Sequence, residues 1–166
     1  MLGKIVVLLD GTIGVGKSTM GRELAHRFGG KFLDGDDYKA KGKPWYCSSL
    51  TTCHSLRDAG IKALEKTPAI FIGRPMRCLD WLYFSTHFER RGARVFSIGL
   101  QASFENITSK KRGREFSQYE RERVAEMIHE GYGSRPYSDF TMRTDQACID
   151  ATVDELEARI RRLTNE

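Results

Sequence analysis

The sequence predicts one three-layer α/β domain built around a parallel sheet. Strand-like apolar runs and helical patterns alternate about five times along the 166 residues, which favours parallel strands joined by helical crossovers. Residues 4–9, KIVVLL, form a near-continuous apolar run typical of a strand buried on both faces. Because the chain contains no linker, repeat or low-complexity tract, we expect residues 1–166 to form a single domain.

The amino-terminal half begins with this strand and a glycine-rich turn. Residues 17–28 then space their apolar side chains at helical intervals, and the Gly29-Gly30 pair that follows ends the helix. The same periodicities predict the remaining elements of this half. They are strand 31–33, loop 38–45, helix 50–64, strand 69–72 and helix 76–91.

The carboxyl-terminal half continues the alternation and carries two helix-start signals. Ser103 can cap one helix, and Ser117 followed by Glu120 predicts a capping box at the start of another. The dense charge of residues 110–114 separates these two helices. The predicted elements of this half are strand 94–100, helix 103–111, helix 117–128, strand 140–143 and the amphipathic helix 153–163.

Composition limits the compartment and the classes of partner. A net charge of +5 suits either nucleic acid or an anionic small substrate. No apolar run approaches the roughly 20 residues that span a bilayer, and the chain starts directly with the first strand-like segment. We therefore expect a soluble cytoplasmic protein without a membrane partner. The cysteines form no CxxC pair and are expected to be free thiols; they are Cys47, Cys53, Cys78 and Cys148.

The strongest motif lies between the first strand and the first helix. Residues 11–18, GTIGVGKS, match the pattern GxxxxGK[ST] in the correct strand-and-helix context. Glycines bring backbone N–H groups onto phosphate oxygens, and the helix start adds a positive dipole end. Lys17 is expected to reach the terminal phosphates as a catalytic residue, and the Ser18 hydroxyl to ligate Mg²⁺. The motif thus predicts ATP and Mg²⁺ as cofactors. The predicted nucleotide-binding residues are Gly11, Thr12, Ile13, Gly14, Val15, Gly16, Lys17, Ser18 and Thr19.

Carboxylates follow the second predicted strand. Asp34, Asp36 and Asp37 stand where an open α/β sheet places its ligands, beyond the carboxyl ends of strands. We expect the second strand to lie beside the first, so that these acids face the phosphate loop. A hydroxyl acceptor needs a nearby proton acceptor, and Mg²⁺ needs oxygen ligands. The alternative interpretation is an acidic turn.

Residues 32–37, FLDGDD, after this phosphate loop resemble the shikimate kinase and gluconate kinase group, small P-loop kinases related to adenylate kinase. The resemblance implies the P-loop NTPase fold with a five-stranded parallel sheet, ATP with Mg²⁺, and a mobile lid. It also implies two roles for the acids. Asp34 would help to hold the Mg²⁺ shell near the substrate, and Asp36 would contact the substrate hydroxyl as a catalytic residue.

The basic residues around Arg112 and Arg114 lie about where this group places its lid, at residues 110–118. Lid arginines close over ATP and neutralise charge on the transferred phosphoryl group. Both arginines fit that catalytic role because a guanidinium clasps phosphate oxygens as a fork, and Arg112 is also predicted to bind the nucleotide. The alternative is a solvated helix end. A nucleic-acid surface is disfavoured because no aromatic residues interleave with the basic run.

Four arginines are candidates for gripping an acidic acceptor. Arg74 follows the third strand, in a Gly-Arg-Pro segment where shikimate kinases have a glycine triplet, and Arg77 matches a basic residue of gluconate kinases. Arg57 resembles the carboxylate-binding arginine of shikimate kinases, and Arg135 falls near a substrate arginine of that family. Each could instead be an ordinary surface arginine.

Together these features predict a kinase that transfers the γ-phosphate of ATP to a hydroxyl of a small, anionic metabolite, acting as a monomer or homodimer without nucleic acid. The first alternative is a nucleoside or nucleotide kinase, because the phosphate loop and residues 112–115 also resemble deoxynucleoside kinases. The second is a non-catalytic nucleotide-binding regulator, against which the Asp34 and Asp36 pair argues. Asp10, just before the loop, could contact substrate or merely end the strand.

Overall fold

Five parallel strands form one sheet in the computed structural model, which describes residues 3–43 and 45–165 apart from the side chains of 45–48. The first half contains β1 (Ile5–Asp10), α1 (Lys17–Arg27), β2 (Lys31–Asp34), a 3₁₀ turn (Gly35–Tyr38), α2 (Trp45–Leu64), β3 (Ala69–Gly73) and α3 (Cys78–Glu89). The second half contains β4 (Arg94–Gln101), α4 (Phe104–Ile107), a 3₁₀ turn (Lys110–Arg112), α5 (Gln118–His129), β5 (Phe140–Arg143) and α6 (Ile149–Asn165).

The strand order is β2-β3-β1-β4-β5, with every neighbouring pair parallel. This confirms the predicted α/β class and the five-stranded parallel sheet. The prediction that β2 lies beside β1 is wrong, because β3 separates them. All five residues of β3 are buried, whereas β2 buries only Leu33, so the more apolar strand takes the inner position. Register still brings Asp34 opposite Gly73, at the carboxyl edge of the sheet.

Two apolar clusters, one on each face of the sheet, make up the core. On one face Leu24 of α1 and Leu156 of α6 pack with Val7 of β1. On the other face, Leu56 of α2 and Phe84 of α3 pack on alternate residues of the same strand. Because β1 is covered on both faces, it needs apolar residues at every position, which explains the continuous run that the sequence displays.

Several helix boundaries differ from the predicted ones. Helix α2 starts at Trp45 and so absorbs the end of the predicted loop, whose residue 44 lies outside the described residues. The predicted helix 76–91 is shorter, at Cys78–Glu89, and α6 begins at Ile149 rather than at 153. Helix ends depend on the packing that follows them as well as on local pattern, which is why these limits moved.

The predicted helix 103–111 is wrong as a continuous element. Ser103 does cap α4, since its Oγ accepts from the Asn106 N–H at 3.2 Å. Ser109 then accepts from the Lys111 N–H at 3.3 Å and starts a separate 3₁₀ turn, which interrupts the helix. The Ser117 and Glu120 capping box at the start of α5 is confirmed.

The described side chains include three of the four cysteines. Cys53 is buried, Cys78 and Cys148 are exposed, and all three are free thiols, as predicted. Cys47 lies among the side chains outside the description. Within the described ranges, no helix combines the length and the apolar character that a bilayer crossing requires.

Candidate active site

A cleft of about 1030 Å³ opens at the carboxyl edge of the sheet, where an open α/β fold binds its ligands. Its walls include residues of α2, α4 and α5 and five further segments that are distant in sequence. These five segments are the phosphate loop, the turn after β2, the segment that follows β3, the predicted lid at 110–118, and the segment that follows β5. The structure therefore brings Arg112, the predicted loop residues except Gly11 and Thr12, and part of the predicted acceptor set into one cavity.

The phosphate loop depends on glycine at two positions. Gly14 has φ +75°, and a Cβ there would lie 2.6 Å from Cζ of Phe116 in the lid. Gly16 has φ +111° and caps the start of α1. Both values are in the left-handed region that side chains disfavour. The loop thus keeps its backbone N–H groups accessible while the lid packs directly on it.

Lys17 is held inside this loop by backbone carbonyls. Its Nζ donates to the oxygen of Gly11 at 2.9 Å and to that of Thr12 at 2.5 Å. Burial lowers the pKa of Lys17 to about 8, against the opposing charges of carboxylates that include Asp10. Among the described residues, no carboxylate lies within ion-pair distance of this ammonium. A partly buried ammonium that has no ion-pair partner among the described residues is suited to bind phosphate.

The low pKa of Lys17 predicts pH-dependent nucleotide affinity. Only the charged ammonium attracts phosphate, so the affinity for ATP should fall as the pH rises through about 8. We expect the Kd for ATP at pH 9 to be about tenfold weaker than at pH 7, measured by titration with a fluorescent ATP analogue. A Lys17→Arg variant, which does not titrate in this range, is the control and should give a flat profile. An equally flat wild-type profile would contradict this assignment.

The same pKa shift has a consequence for stability with the opposite sign. The unfolded chain holds the Lys17 proton up to about pH 10.5, whereas the folded protein releases it near pH 8. Since the unfolded state binds more protons in this window, the Lys17 contribution to folding stability rises as the pH goes up through it.

Asp34 reaches the phosphate loop although β2 lies one strand farther away than predicted. Its Oδ2 accepts from the Ser18 hydroxyl at 2.5 Å, and its Oδ1 accepts from the Asp36 N–H at 3.1 Å. The Asp34 side chain is 14% exposed, whereas that of Asp36 is 74% exposed and forms an ion pair with Lys39. Both acids line the cleft, but Asp37 does not.

Ser18 and Asp34 offer the donor set that suits Mg²⁺. Both supply hard oxygen atoms; Ser18 lies in the first turn of α1, and Asp34, the last residue of β2, accepts its hydroxyl hydrogen bond. Mg²⁺ usually takes one or two protein oxygens and completes its shell with phosphates and water. The predicted metal residues therefore fit the ion that the resemblance implies.

One arginine of the predicted lid segment forms a hydrogen bond to the phosphate loop. Arg112 Nη1 donates to the Gly14 carbonyl at 2.9 Å, the one hydrogen bond of this side chain within the described part of the chain. Arg114 instead pairs with Glu120 at 2.7 Å and lies 4.6 Å from the centroid of the Phe116 ring. Both predicted arginines line the cleft. Arg114 forms an ion pair with a carboxylate, whereas Arg112 forms none with the described residues.

Two of the four predicted acceptor arginines enter the cleft. Arg74 and Arg77 both donate from Nη2 to the Ser49 hydroxyl, at 3.4 Å and 3.2 Å. Arg77 also pairs with Asp80, with its Nε 3.7 Å from the Asp80 Oδ2. Arg74 Nη1 contacts the Cys53 sulfur at 3.0 Å, and burial raises the pKa of that thiol to about 11, so the thiol is neutral. No carboxylate of the described residues forms an ion pair with Arg74, which leaves its charge for an anionic ligand.

Arg57 and Arg135 do not line the cleft, contrary to the placement expected for substrate residues. Arg57 bonds Asp58 and the Tyr83 hydroxyl, between α2 and α3. It lies two turns after the cleft residue Ser49, roughly 12 Å along α2, and so away from the carboxyl edge. Arg135 donates to the Glu130 carbonyl at 2.8 Å.

Sequence reasoning missed two residues that follow β5. Thr144 donates from Oγ1 to the Val15 carbonyl at 2.6 Å, which ties this segment to the phosphate loop. Asp145 accepts from the Ser103 N–H at 2.8 Å and from Asn106 Nδ2 at 2.9 Å. Both line the cleft. Their position directly after a strand is the signal that identified Asp34, and the same rule could have identified them.

Asp10 lies directly before the phosphate loop but does not line the cleft. It is fully buried, and its two oxygens accept from the Met76 N–H at 2.7 Å and from the Gly133 N–H at 2.9 Å. Burial raises the pKa of Asp10, while these two hydrogen bonds act in the opposite direction. Asp10 thus connects the end of β1 to two segments outside that strand.

No family model matches the chain, and no curated protein matches it. Solved structures do. A gluconokinase from Sinorhizobium meliloti superposes with a TM-score of 0.73 at 15% identity, covering 99% of this chain and 94% of that one. An APS kinase from Mycobacterium tuberculosis, in complex with AMPPNP and APS, gives 0.65 at 14% identity over 100% of both chains. A shikimate kinase from Acinetobacter baumannii, in complex with shikimate, gives 0.56 at 17% identity, covering 97% and 92%.

These similarities extend over nearly the whole length of each chain, so they concern the complete domain rather than the phosphate loop alone. At these identities the likeness establishes architecture. This chain therefore has the three-layer P-loop NTPase fold that the gluconokinase, shikimate kinase and APS kinase structures share, as the motif resemblance implied.

Proposed function

We propose that this protein is a kinase that transfers the γ-phosphate of ATP to a hydroxyl of a small, anionic metabolite. The observation that carries the proposal is the charge distribution of one cleft. Lys17 and Arg112 at one end, and Arg74 at the other, have no carboxylate partner among the described residues. The turn that carries the acids Asp34 and Asp36 lines the same cavity. An anionic donor and an anionic acceptor would together balance these charges.

At the donor end, loop N–H groups, Lys17 and Arg112 bind the triphosphate and stabilise charge on the transferred phosphoryl group. Ser18 and Asp34 would hold Mg²⁺, which when bound would neutralise negative charge on the phosphates of ATP. The lid contact to Gly14 excludes water from the reacting phosphate. Each protein group acts by holding the donor in line with the acceptor.

At the acceptor end, Arg74 and Arg77 bind the anionic group of the metabolite and orient its hydroxyl. The hydroxyl oxygen forms the new bond to the γ-phosphorus while the bond to the β-phosphate oxygen breaks, and ADP leaves. The hydroxyl proton passes to a carboxylate of the turn after β2, where Asp36 is the more accessible acid. The APS kinase and shikimate kinase structures contain the small molecules APS and shikimate, which supports an acceptor of that size.

An ATP-consumption screen tests the proposal. The acceptors are sugar acids, shikimate, uncharged sugars, nucleosides and nucleotides, each assayed with ATP and Mg²⁺ by coupled detection of ADP. We expect turnover with a hydroxyl compound that carries a carboxylate or another anionic group. Turnover of nucleosides alone would contradict the anionic acceptor and support a nucleoside kinase. ATP binding without turnover of any compound would support a nucleotide-binding regulator instead.

Truncation of Arg74 tests the acceptor end separately. Loss of a charged hydrogen bond typically costs about 1.5–3 kcal/mol, so Arg74→Ala should raise the KM for the best acceptor by roughly 10- to 150-fold. The Kd for ATP should change by less than about twofold. Arg162→Ala, at the exposed end of α6, is the matched control and should leave both constants unchanged. An unaltered acceptor KM in Arg74→Ala would remove this arginine from the site.

A further inference from the structure

One buried carboxylate joins the two ends of the cleft. Asp10 is the last residue of β1 and stands directly before the phosphate loop. Its two hydrogen bonds reach Met76, which lies two residues after Arg74, and Gly133, which follows the cleft residue Tyr132. A side chain that is fully buried and satisfied on both oxygens by backbone groups has little freedom to move.

The Met76 peptide is held from both sides. Asp10 accepts from its N–H at 2.7 Å, and the Tyr137 hydroxyl donates to its carbonyl at 3.1 Å. Tyr137 is itself stacked on Trp81 of α3, with ring centroids 4.9 Å apart. The backbone between Arg74 and Arg77 is thus fixed at its centre relative to β1 and to the segment before β5.

The hydrogen bond from the Gly133 N–H to Asp10 anchors the segment before β5 equally firmly. Gly133 has φ +81°, and a Cβ there would lie 2.2 Å from the Leu100 carbonyl of β4. Its backbone therefore sits tightly against the sheet, and the hydrogen bond to Asp10 is part of a packed contact. Tyr132, one residue earlier, is held at the cleft wall by this arrangement.

We propose that Asp10 is a positioning residue that sets the distance between the phosphate loop and the acceptor-binding arginine Arg74. The proposal rests on the proposed function, since it concerns the acceptor end of that same site. Asp10 touches neither substrate. It acts through the Met76 peptide, so that the donor phosphate and the acceptor hydroxyl are held at a reactive separation. A small change in the distance between these two groups lowers the rate of phosphate transfer strongly.

The Asp10→Asn variant tests this positioning role. Both present partners of Asp10 are N–H donors. The asparagine carboxamide has only one oxygen and would present its NH₂ group to the other donor, so one contact is lost with almost no change of shape. Tyr137→Phe is the complementary variant, because it releases the Met76 carbonyl and keeps the aromatic stack on Trp81.

The experiment measures the acceptor KM, kcat and the ATP Kd, with the acceptor that gives the highest kcat/KM in the screen above. We expect Asp10→Asn to raise the acceptor KM by about tenfold or more, and Tyr137→Phe by about threefold or more, with the ATP Kd within about threefold of wild type. Asp139→Asn is the control, because this exposed carboxylate accepts one strand N–H, that of Ser97, outside the cleft. Asp139→Asn should change neither the acceptor KM nor the ATP Kd.

A double variant separates positioning from general structural support. If Asp10 acts through Arg74, adding Asp10→Asn to Arg74→Ala should raise the acceptor KM by less than about twofold more. Full additivity of the two effects would overturn the proposal, as would equal losses of ATP and acceptor affinity in Asp10→Asn. If Asp10→Asn does not fold, Tyr137→Phe decides alone and in the Arg74→Ala background, by the same criteria.

Failure of the proposed function gives a different result. If wild type turns over no acceptor, the kinase proposal fails, and amide hydrogen exchange then tests the positioning role. The Asp10→Asn variant should exchange faster by about tenfold or more in residues 74–77, with α1 unchanged and the Kd of a fluorescent ATP analogue unchanged. Exchange equal to wild type in residues 74–77, or faster throughout the chain, would overturn the proposal.

Discussion

Replacing Lys17 with methionine is expected to lower kcat/KM by on the order of 10³-fold, the largest effect of any single change in this protein. Methionine keeps the unbranched side chain but removes the cation, which has no ion-pair partner in the part of the chain that the structure describes. Steady-state kinetics with the best acceptor measure the loss, which should fall mainly on kcat, because the charge on the transferred phosphoryl group develops in the transition state.

Stability should respond to Lys17→Met differently from activity. Burial lowers the pKa of Lys17 to about 8, so the folded protein carries a desolvated ammonium that the variant removes. The Gly11 and Thr12 carbonyls lose their donor in exchange. We expect these effects to offset within about 1 kcal/mol, measured as the free energy of unfolding in urea. Lys31→Met, on the exposed start of β2, is the control. Kinase activity near that of wild type in Lys17→Met would refute the assigned role.

Asp34→Asn is expected to produce the second largest loss, about 10²-fold or more in kcat/KM. The asparagine oxygen can still accept from the Asp36 N–H while its NH₂ group donates to the Ser18 hydroxyl oxygen, so the local geometry should persist. What disappears is the negative charge that would help to hold Mg²⁺. The Mg²⁺ concentration that gives half-maximal activity should therefore rise by at least about tenfold, measured by titration of Mg²⁺ at constant ATP.

The neighbouring acids provide the comparison for Asp34. Asp36→Asn should lower kcat without shifting the Mg²⁺ requirement, because Asp36 is 74% exposed and pairs with Lys39 rather than Ser18. Asp37→Asn is the matched control, since Asp37 lies outside the cleft, and it should behave as wild type. An unchanged Mg²⁺ requirement in Asp34→Asn, or a larger shift in Asp36→Asn, would reverse the roles that we assign to the two acids.

Local signals predicted most of the donor end. The phosphate loop is a contiguous segment whose function is encoded by residue spacing, and the apolar run of β1 and the capping box of α5 are equally short-range. Asp34 was predicted correctly to lie near Ser18 for a partly incorrect reason. The carboxyl-edge rule holds for every strand of a parallel sheet, so it survived the wrong placement of β2.

The acceptor end could not be predicted to the same extent. Judged by its position in the sequence, each of the four candidate arginines could lie in the site. Only the position of α2 relative to the edge of the sheet places Arg57 outside the cleft. Ser49, which joins Arg74 and Arg77, sits on a helix whose start was itself predicted too late. Side chains of this kind meet through packing between segments that have no local relationship.

By itself, the sequence determined the class of fold, the phosphate-binding loop and the acids that follow β2, because these follow from periodicity and spacing within a few residues. Only the tertiary structure decided the strand order, the two arginines that share the cleft, and the hydrogen-bond partners of Asp10. Its carboxylate bonds residues 66 and 123 positions away along the chain. Such contacts depend on the order of the strands in the sheet, which no local pattern encodes.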